Sequence, residues 1–221
     1  MSLSLYKKKR DFKQTPEPTG GETQIGHLVF VIQKHAASSL HYDFRLEMEG
    51  VLKSWAVPKG PSINPADKRL AMLVEDHPYD YKDFEGTIAE GNYGAGRVIV
   101  WDNGTYEPLE DLEGKKAQEK HLLKQLEEGS LKFRLHGKKL QGEFALVRTH
   151  MGKNTWLLIK HRDEYAGTTD ITRQNESVIS GAVLEDVNKN NRTRTKSPPA
   201  EKTAGDVKKK PAKTPREKTK A

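Results

Sequence analysis

Cysteine is absent from the 221 residues, which excludes disulfide bonds, thiolate metal sites and cysteine nucleophiles. Long apolar segments are absent too, since no run approaches the roughly 20 residues that a membrane-spanning helix needs. The first ten residues lack the apolar centre of a signal peptide. From these absences we expect a soluble, cytoplasmic protein.

Net charge is also absent from most of the chain. Residues 1–184 hold 26 Lys+Arg and 26 Asp+Glu, whereas residues 185–221 hold 12 and 5, so the net charge of +7 belongs to the end of the sequence. That end has only Val187 and Val207 as hydrophobic residues besides alanine and cannot bury a core. We predict a disordered basic tail over 185–221, which is either a tether to nucleic acid or a solubilising segment.

A strictly alternating stretch, HYDFRLEM, holds the strongest functional signal. His41, Asp43 and Arg45 fall on one face of the predicted strand, with Cβ atoms of successive members roughly 6.5–7 Å apart. The short AASSL connection can fold His35 back beside His41. Two imidazoles and a carboxylate are suitable ligands for a divalent metal, and an arginine beside them suits an anion. An ordinary solvated strand face is the alternative interpretation.

The remaining pattern predicts a mainly β protein. About eight short apolar runs separated by turn residues, with Asn103-Gly104 as a hairpin turn, indicate a compact, closed or nearly closed β-barrel. Lys115 to Glu128 is the one clear helix, ended by Gly129, and one or two flanking helices are expected. Such a barrel can turn the polar strand face toward a central site. We predict an extended arm without helix or strand over 1–24, a barrel domain over 25–184 and the tail beyond.

Other segments offer candidate site residues. His77 precedes a proline at a strand-to-loop corner, Tyr81 follows it, and Ser54, Lys59 and Arg69 flank the PKGPS turn. The glycines of EGNYGAG lead into a strand, not a helix, so we interpret them as turn residues rather than a phosphate loop. The other histidines have no partner at ligand spacing and are expected on the surface or in the core: His27, His121, His136, His150 and His161.

The run FVIQKHAASSLHYDFRLEMEGVLKSWAVPKGPS, together with RDF, TPEP, VEDHPYDYKDFEG and EGNYGAGRVIVWD, resembles the 3′-phosphoesterase domain of bacterial DNA ligase D and its free-standing relatives. The resemblance implies a compact β-barrel that heals 3′ ends at primer–template junctions during end joining. It implies removal of a 3′-terminal ribonucleotide, then of the 3′-phosphate, with a divalent metal, typically Mn²⁺. Co²⁺ or Zn²⁺ could occupy the same ligands.

The resemblance also implies roles for individual residues. It makes His35, His41 and Asp43 the metal ligands, and places Arg45, His77 and Tyr81 around the scissile phosphate. Further residues would support the site or contact phosphate, the last three from the N-terminal arm: Gln33, Ser54, Lys59, Arg69, Arg10, Asp11 and Glu17. The implied partners are DNA or DNA–RNA 3′ ends and a separate DNA ligase, with the protein monomeric and nucleoid-associated.

Two other functions remain open at this point. A small nucleic-acid-binding barrel without catalysis would use the basic tail but needs no convergence of His35, His41 and Asp43. A non-haem iron oxygenase uses the same ligand types, but a barrel oxygenase would need a late ligand such as His150. Within the phosphoesterase interpretation, direct attack by water is favoured and a histidine nucleophile stays open.

Overall fold

The structure, a computed structural model, describes residues 3–23 and 26–187. Within them the chain forms ten strands and two α-helices, α1 (Ser4–Lys8) and α2 (Lys115–Glu128). The strands are β1 (Leu28–Ala36), β2 (Leu40–Met48), β3 (Val51–Val57), β4 (Lys68–Leu73), β5 (His77–Pro78), β6 (Gly86–Ile88), β7 (Gly96–Pro108), β8 (Ser130–Gly137), β9 (Gln141–Arg148) and β10 (Thr155–Lys160). Short 3-10 helices lie at Tyr79–Asp83, Ile171–Arg173 and Leu184–Asp186.

Eight of the strands close into an antiparallel barrel in the order β1-β2-β3-β4-β10-β9-β8-β7, and β7 returns to pair with β1. The two short strands lie outside this ring, with β5 pairing β3 and β6 pairing β7. Closure gives every barrel strand a partner on both sides, which removes exposed strand edges. The predicted β-barrel of about eight strands with one or two helices is therefore confirmed.

The interior of the barrel is an apolar core, and the polar face of β2 lies outside it. Tyr42, Phe44 and Leu46 are buried inside among residues of all eight barrel strands, including Trp55 and Trp156. His41, Asp43 and Arg45 alternate with them and face outward. The prediction of a central site inside the barrel is therefore wrong, because a small barrel is filled by its own side chains.

The outward polar face is itself covered by other parts of the chain. A second apolar cluster joins Tyr6 of α1, Tyr81 and Phe84 of the segment after β5, and Val31 and Val100 of the barrel wall. Tyr6 has no exposed surface, and its ring contacts those of His77 and Tyr81. The site is consequently enclosed between the barrel wall and this cover.

The β7 strand contradicts the predicted hairpin at Asn103-Gly104. β7 runs unbroken over 13 residues, with a register shift opposite Ile32/Gln33 where Trp101 is the extra residue. Gly104 is needed for close approach of strands rather than for a turn: a Cβ there would lie 2.1 Å from the main-chain oxygen of His136. The predicted helix at Lys115–Glu128 and its end at Gly129, with φ of 82°, are confirmed.

The two ends of the chain differ in how far the structure describes them. The predicted absence of helix from the arm is wrong at Ser4–Lys8, because packing of Tyr6 against the cover stabilises the short helix α1. Near the other end, Leu184 and Val187 are buried against Ile99. The predicted tail over 185–221 is therefore wrong at residues 185–187, because the Leu184–Asp186 turn and Val187 pack onto the barrel. The rest of the predicted tail, residues 188–221, lies outside the described residues. Within the described residues no helix has the length and apolar character to span a membrane.

Candidate metal and phosphate site

The pairing of β1 with β2 brings the predicted metal ligands together. His35 is the direct partner of His41, and Asp43 is paired with Gln33 one step along the same face. One ligand atom from each of His35, His41 and Asp43 lies within 4.8 Å of the others. Antiparallel register, rather than the AASSL connection alone, sets this convergence.

The hydrogen bonds around the two imidazoles test whether a metal fits. Nε2 of His35 donates to the Gly94 carbonyl and Nδ1 of His41 donates to the Ser39 carbonyl, each at 2.9 Å. The opposite ring nitrogens face Asp43, with His35 Nδ1 3.4 Å from Oδ2 and His41 Nε2 3.7 Å from Oδ1. In the neutral tautomers these bonds select, two lone pairs and a carboxylate converge. Two imidazole nitrogens and one carboxylate directed at a common point are a ligand set that fits a divalent cation.

Arg45 is the main reason that Asp43 stays ionised. Burial alone would raise the pKa of Asp43, but the Arg45 guanidinium and the two imidazoles outweigh it and lower that pKa below its ordinary value. Arg45 Nη2 lies 3.2 Å from Asp43 Oδ2. A carboxylate that is charged before a cation arrives is prepared as a ligand.

Two neutral side chains behind the site hold the Arg45 guanidinium. Its Nε donates to Gln33 Oε1 at 2.8 Å and its Nη1 donates to Ser54 Oγ at 2.9 Å. Gln33 is anchored in turn, because its Nε2 donates to the carbonyls of Tyr81 and Phe84, both at 2.9 Å. With the Asp43 contact, these described contacts use three of the five guanidinium N–H groups, so two remain for an anion.

His77 enters the site from β5 and is neutral. Burial, together with the positive charges of Arg45 and Arg10, lowers the pKa of His77 well below its ordinary value. Its Nδ1 donates to the Glu75 carbonyl at 2.9 Å, and its Nε2 accepts from Arg10 Nη2 at 3.3 Å. In this arrangement the ring nitrogen nearest the N-terminal segment is an acceptor.

The N-terminal segment contributes a second buried ion pair. Arg10 Nε lies 2.8 Å from Glu17 Oε1 and Arg10 Nη1 lies 3.1 Å from Glu75 Oε1, and the guanidinium packs 3.9 Å from the Tyr6 ring centroid. Tyr81 donates its hydroxyl to the same Glu17 oxygen at 2.9 Å. Burial, with a smaller contribution from nearby carboxylates, raises the pKa of Tyr81 well above its ordinary value, so its phenol remains a proton donor at neutral pH.

A cavity of about 190 Å³ opens between these groups. Of the predicted site residues, seven line it: Arg10, His35, His41, Asp43, Arg45, His77 and Tyr81. Three lie directly behind that lining and hold it: Gln33, Ser54 and Glu17.

The structure does not bring the other predicted site residues to this cavity. Asp11 is exposed and accepts from Lys13 N and Gln14 Nε2 within its own turn. Lys59 is exposed after β3, and Arg69 on β4 pairs with Asp67 at 2.9 Å. The roles implied for them stay predictions. His150, the late ligand an oxygenase would need, is exposed in the β9–β10 connection and does not line the cavity.

Two polar side chains that line the cavity were not among the predicted site residues, Glu75 and Tyr93. Glu75 pairs with Lys9 and Arg10, at 3.0 and 3.1 Å. Tyr93 lies in the glycine-rich turn, where Gly91 and Gly94 have positive φ as the turn interpretation requires. Both residues stand next to motif positions, Glu75 two residues before His77 and Tyr93 inside EGNYGAG, and this adjacency is the only signal the sequence offers.

The fold and the site together define an antiparallel β-barrel protein whose outer face brings two imidazoles and a carboxylate together beside two buried arginines. The sequence profile of the DNA ligase D 3′-phosphoesterase domain matches residues 33–148. The chain belongs to this family.

Curated relatives match a larger share of the chain than that range. The multifunctional non-homologous end joining protein LigD of Pseudomonas aeruginosa is 50% identical over 192 residues, which is 82% of this chain and 22% of that protein. The LigD proteins of Mycobacterium tuberculosis and Mycolicibacterium smegmatis are 45% and 43% identical, over 67% and 73% of this chain. The chain thus spans about a fifth of the length of these relatives, 18–22%.

Proposed function

We propose that this chain is a metal-dependent phosphoesterase that heals DNA 3′ ends. The observation that supports it best is the convergence of His35, His41 and Asp43 beside Arg45 and His77 in one cavity. Ligands for a cation next to side chains that donate hydrogen bonds to an anion suit a phosphate ester, because both the metal and the donors stabilise the negative charge on its oxygens. A non-catalytic binding barrel would give no reason for this burial of charged groups.

The relatives' names suggest the setting. They are described as non-homologous end joining proteins, and we propose that this chain acts on DNA or DNA–RNA 3′ ends at primer–template junctions in the same process. Healed 3′ ends must still be sealed in end joining, and we propose that a DNA ligase is the partner that completes this step.

His35, His41 and Asp43 would hold the metal, for which we propose Mn²⁺, with Co²⁺ and Zn²⁺ compatible with the same nitrogen and oxygen ligands. When bound, a divalent ion polarises a phosphate oxygen and lowers the pKa of a coordinated water. The main-chain carbonyls of Gly94 and Ser39 hold the two imidazoles in the tautomers that leave a lone pair for the ion.

Arg45 is suited to the scissile phosphate in both reactions. It is fixed by Gln33, Ser54 and Asp43 before substrate arrives, so little reorganisation is needed when charge develops on the phosphate oxygens. Arginine is preferred here to lysine because its planar fork can meet two oxygens at once.

His77 faces the same phosphate from β5. Its Nε2 accepts from Arg10 in the free protein, so it can donate to a phosphate or leaving-group oxygen only after taking up a proton. The negative charge of a bound phosphate favours that uptake. We therefore propose that His77 donates a hydrogen bond or proton at this position once substrate is bound.

The proposed reactions follow in order. In the first, water attacks the terminal phosphodiester, the bond from phosphorus to the ribonucleoside oxygen breaks, and that oxygen takes a proton. A 3′-phosphate remains. In the second, water attacks this monoester, the primer 3′ oxygen leaves and is protonated, and inorganic phosphate is released. The chain has no cysteine, so a cysteine nucleophile is excluded. Of the two remaining nucleophiles, water and histidine, we favour direct attack by water.

The test is incubation with a primer–template that ends in a single 3′-ribonucleotide, with and without Mn²⁺. We expect the primer to shorten to a 3′-phosphate end and then to a 3′-hydroxyl end, with Mn²⁺ required for both. His41→Ala should remove both products and His150→Ala neither. Binding of the primer–template without either product would favour the non-catalytic barrel.

A further inference from the structure

Tyr93 is an aromatic side chain at the rim of the cavity that the proposed reactions do not use. It is 48% exposed, although it lines the same cavity as the metal ligands and Arg45. The residue after it, Gly94, accepts the hydrogen bond from His35. The main chain beside Tyr93 is thereby fixed relative to the metal ligands.

A contact with the N-terminal segment also fixes the ring. Lys9 Nζ lies 3.2 Å from the Tyr93 hydroxyl and 4.3 Å from the ring centroid, and Lys9 is held by Glu75 at 3.0 Å. These contacts join the N-terminal segment to the glycine-rich turn across one side of the cavity mouth. Tyr93 is therefore both exposed and positioned.

The cavity is too small to enclose a nucleotide. Its volume is about 190 Å³, below the roughly 300–1,000 Å³ of pockets that enclose small-molecule ligands. If the phosphate lies between the metal ligands and Arg45, the attached nucleosides must lie at the mouth. Tyr93 combines a place in the cavity lining with an exposed aromatic ring, so a nucleoside at the mouth can lie against it.

We propose that Tyr93 is the stacking platform for the terminal base of the 3′ end, and so a positioning residue for the first reaction. The inference rests on the proposed function, which supplies the nucleoside. Aromatic rings stack on any base because every base has a π face. The protein would therefore prefer ends that carry a base over abasic ends, without distinguishing which base it is. The 3′-phosphate substrate of the second reaction has no nucleoside beyond the scissile phosphate, so its turnover should not depend on Tyr93.

The kinetic test compares three substrates: a primer ending in a ribonucleotide, the same primer ending in an abasic ribose, and the primer ending in a 3′-phosphate. Tyr93→Ala should lower kcat/KM on the first by about 5- to 150-fold, as expected for one lost base stack. It should lower the other two by less than about threefold. Tyr93→Phe, which retains the ring, should behave like wild type on all three.

Tyr165→Ala is the matched control, because Tyr165 is exposed to a similar extent, 45%, and does not line the cavity. A direct readout uses metal-free protein and a primer ending in 2-aminopurine ribonucleoside, whose fluorescence falls when the base stacks. We expect quenching with wild type, Tyr93→Phe and Tyr165→Ala, but not with Tyr93→Ala.

Equal losses on the ribonucleotide and abasic ends, or quenching that persists in Tyr93→Ala, would overturn the inference. Failure of the proposed function would look different, because wild-type protein would then leave all three ends uncut. The 2-aminopurine measurement needs no turnover, so it decides the role of Tyr93 in either case.

Discussion

Binding of a divalent metal to His35, His41 and Asp43 should stabilise the folded protein, and His41→Ala should remove that stabilisation. His41 is the cleanest position to change because its side chain is 22% exposed, against 10% for Asp43 and 7% for His35. Removing Asp43 would also leave Arg45 buried without its charge partner. The unfolded chain does not hold the three ligands together, so the binding free energy adds to folding stability.

The expected magnitude follows from mass action. At a Mn²⁺ concentration 100 times the Kd, binding adds about 2.7 kcal/mol to the free energy of unfolding. For a domain of this size each kcal/mol raises Tm by roughly 2–4 °C, so the shift should be about 5–11 °C. Loss of one of three protein ligands should weaken binding by about 100-fold or more, since even outer-shell changes cost 10–100-fold. The same Mn²⁺ would then add about 0.4 kcal/mol or less, a shift below roughly 2 °C.

The assay is thermal unfolding of wild type, His41→Ala and His150→Ala, each with chelator and with Mn²⁺, Co²⁺ or Zn²⁺. His150→Ala controls for loss of an imidazole, because His150 is exposed and away from the cavity. It should keep the full shift. A full shift in His41→Ala would refute the ligand assignment, and the absence of any shift in wild type with all three metals would refute the metal site.

Four further outcomes are expected. Single-turnover rates should fall by about 10²–10³ on both diester and monoester ends in Arg45→Ala. His77→Ala should affect the two steps unequally, by up to roughly 10²–10⁴ where the leaving oxygen is least assisted; equal losses would make His77 a phosphate clamp only. Deleting residues 188–221 should weaken DNA binding most at low salt and flatten its salt dependence, whereas a large drop in saturated rate would place the segment in the catalytic unit. Gly104→Ala should lower the free energy of unfolding by about 1–3 kcal/mol or more, because its Cβ would lie 2.1 Å from a main-chain oxygen; Gly20→Ala, with open space around its Cβ, is the control in urea unfolding.

Local patterns predicted those features that depend on neighbours in sequence. Strand alternation puts His41, Asp43 and Arg45 on one face wherever the strand lies. The helix at Lys115–Glu128 ends at Gly129 because that residue has the left-handed conformation a helix end favours. Both features depend on only a few consecutive residues.

The Asn103-Gly104 pair shows where local inference fails. The dipeptide favours a hairpin turn in isolation, but β1 pairs along β7 on both sides of it, from Ala36 to Leu28. The ladder hydrogen bonds outweigh the turn preference, and Gly104 is used for the close approach of β8 instead. The short helix α1 is a similar case, since burial of Tyr6 decides it rather than helix propensity.

The sequence by itself determined that this protein is mainly β, with about eight strands in a closed or nearly closed barrel, and that His41, Asp43 and Arg45 share one strand face, because alternation, turn residues and short-range spacing are local properties. Only the tertiary structure decided which side of the barrel wall that face occupies, since the apolar face of the same strand fills the interior. It also decided which distant residues complete the site. Arg10, His77 and Tyr93 reach the cavity from three separate segments, and chain folding over the barrel wall, not any spacing in the sequence, sets their distances.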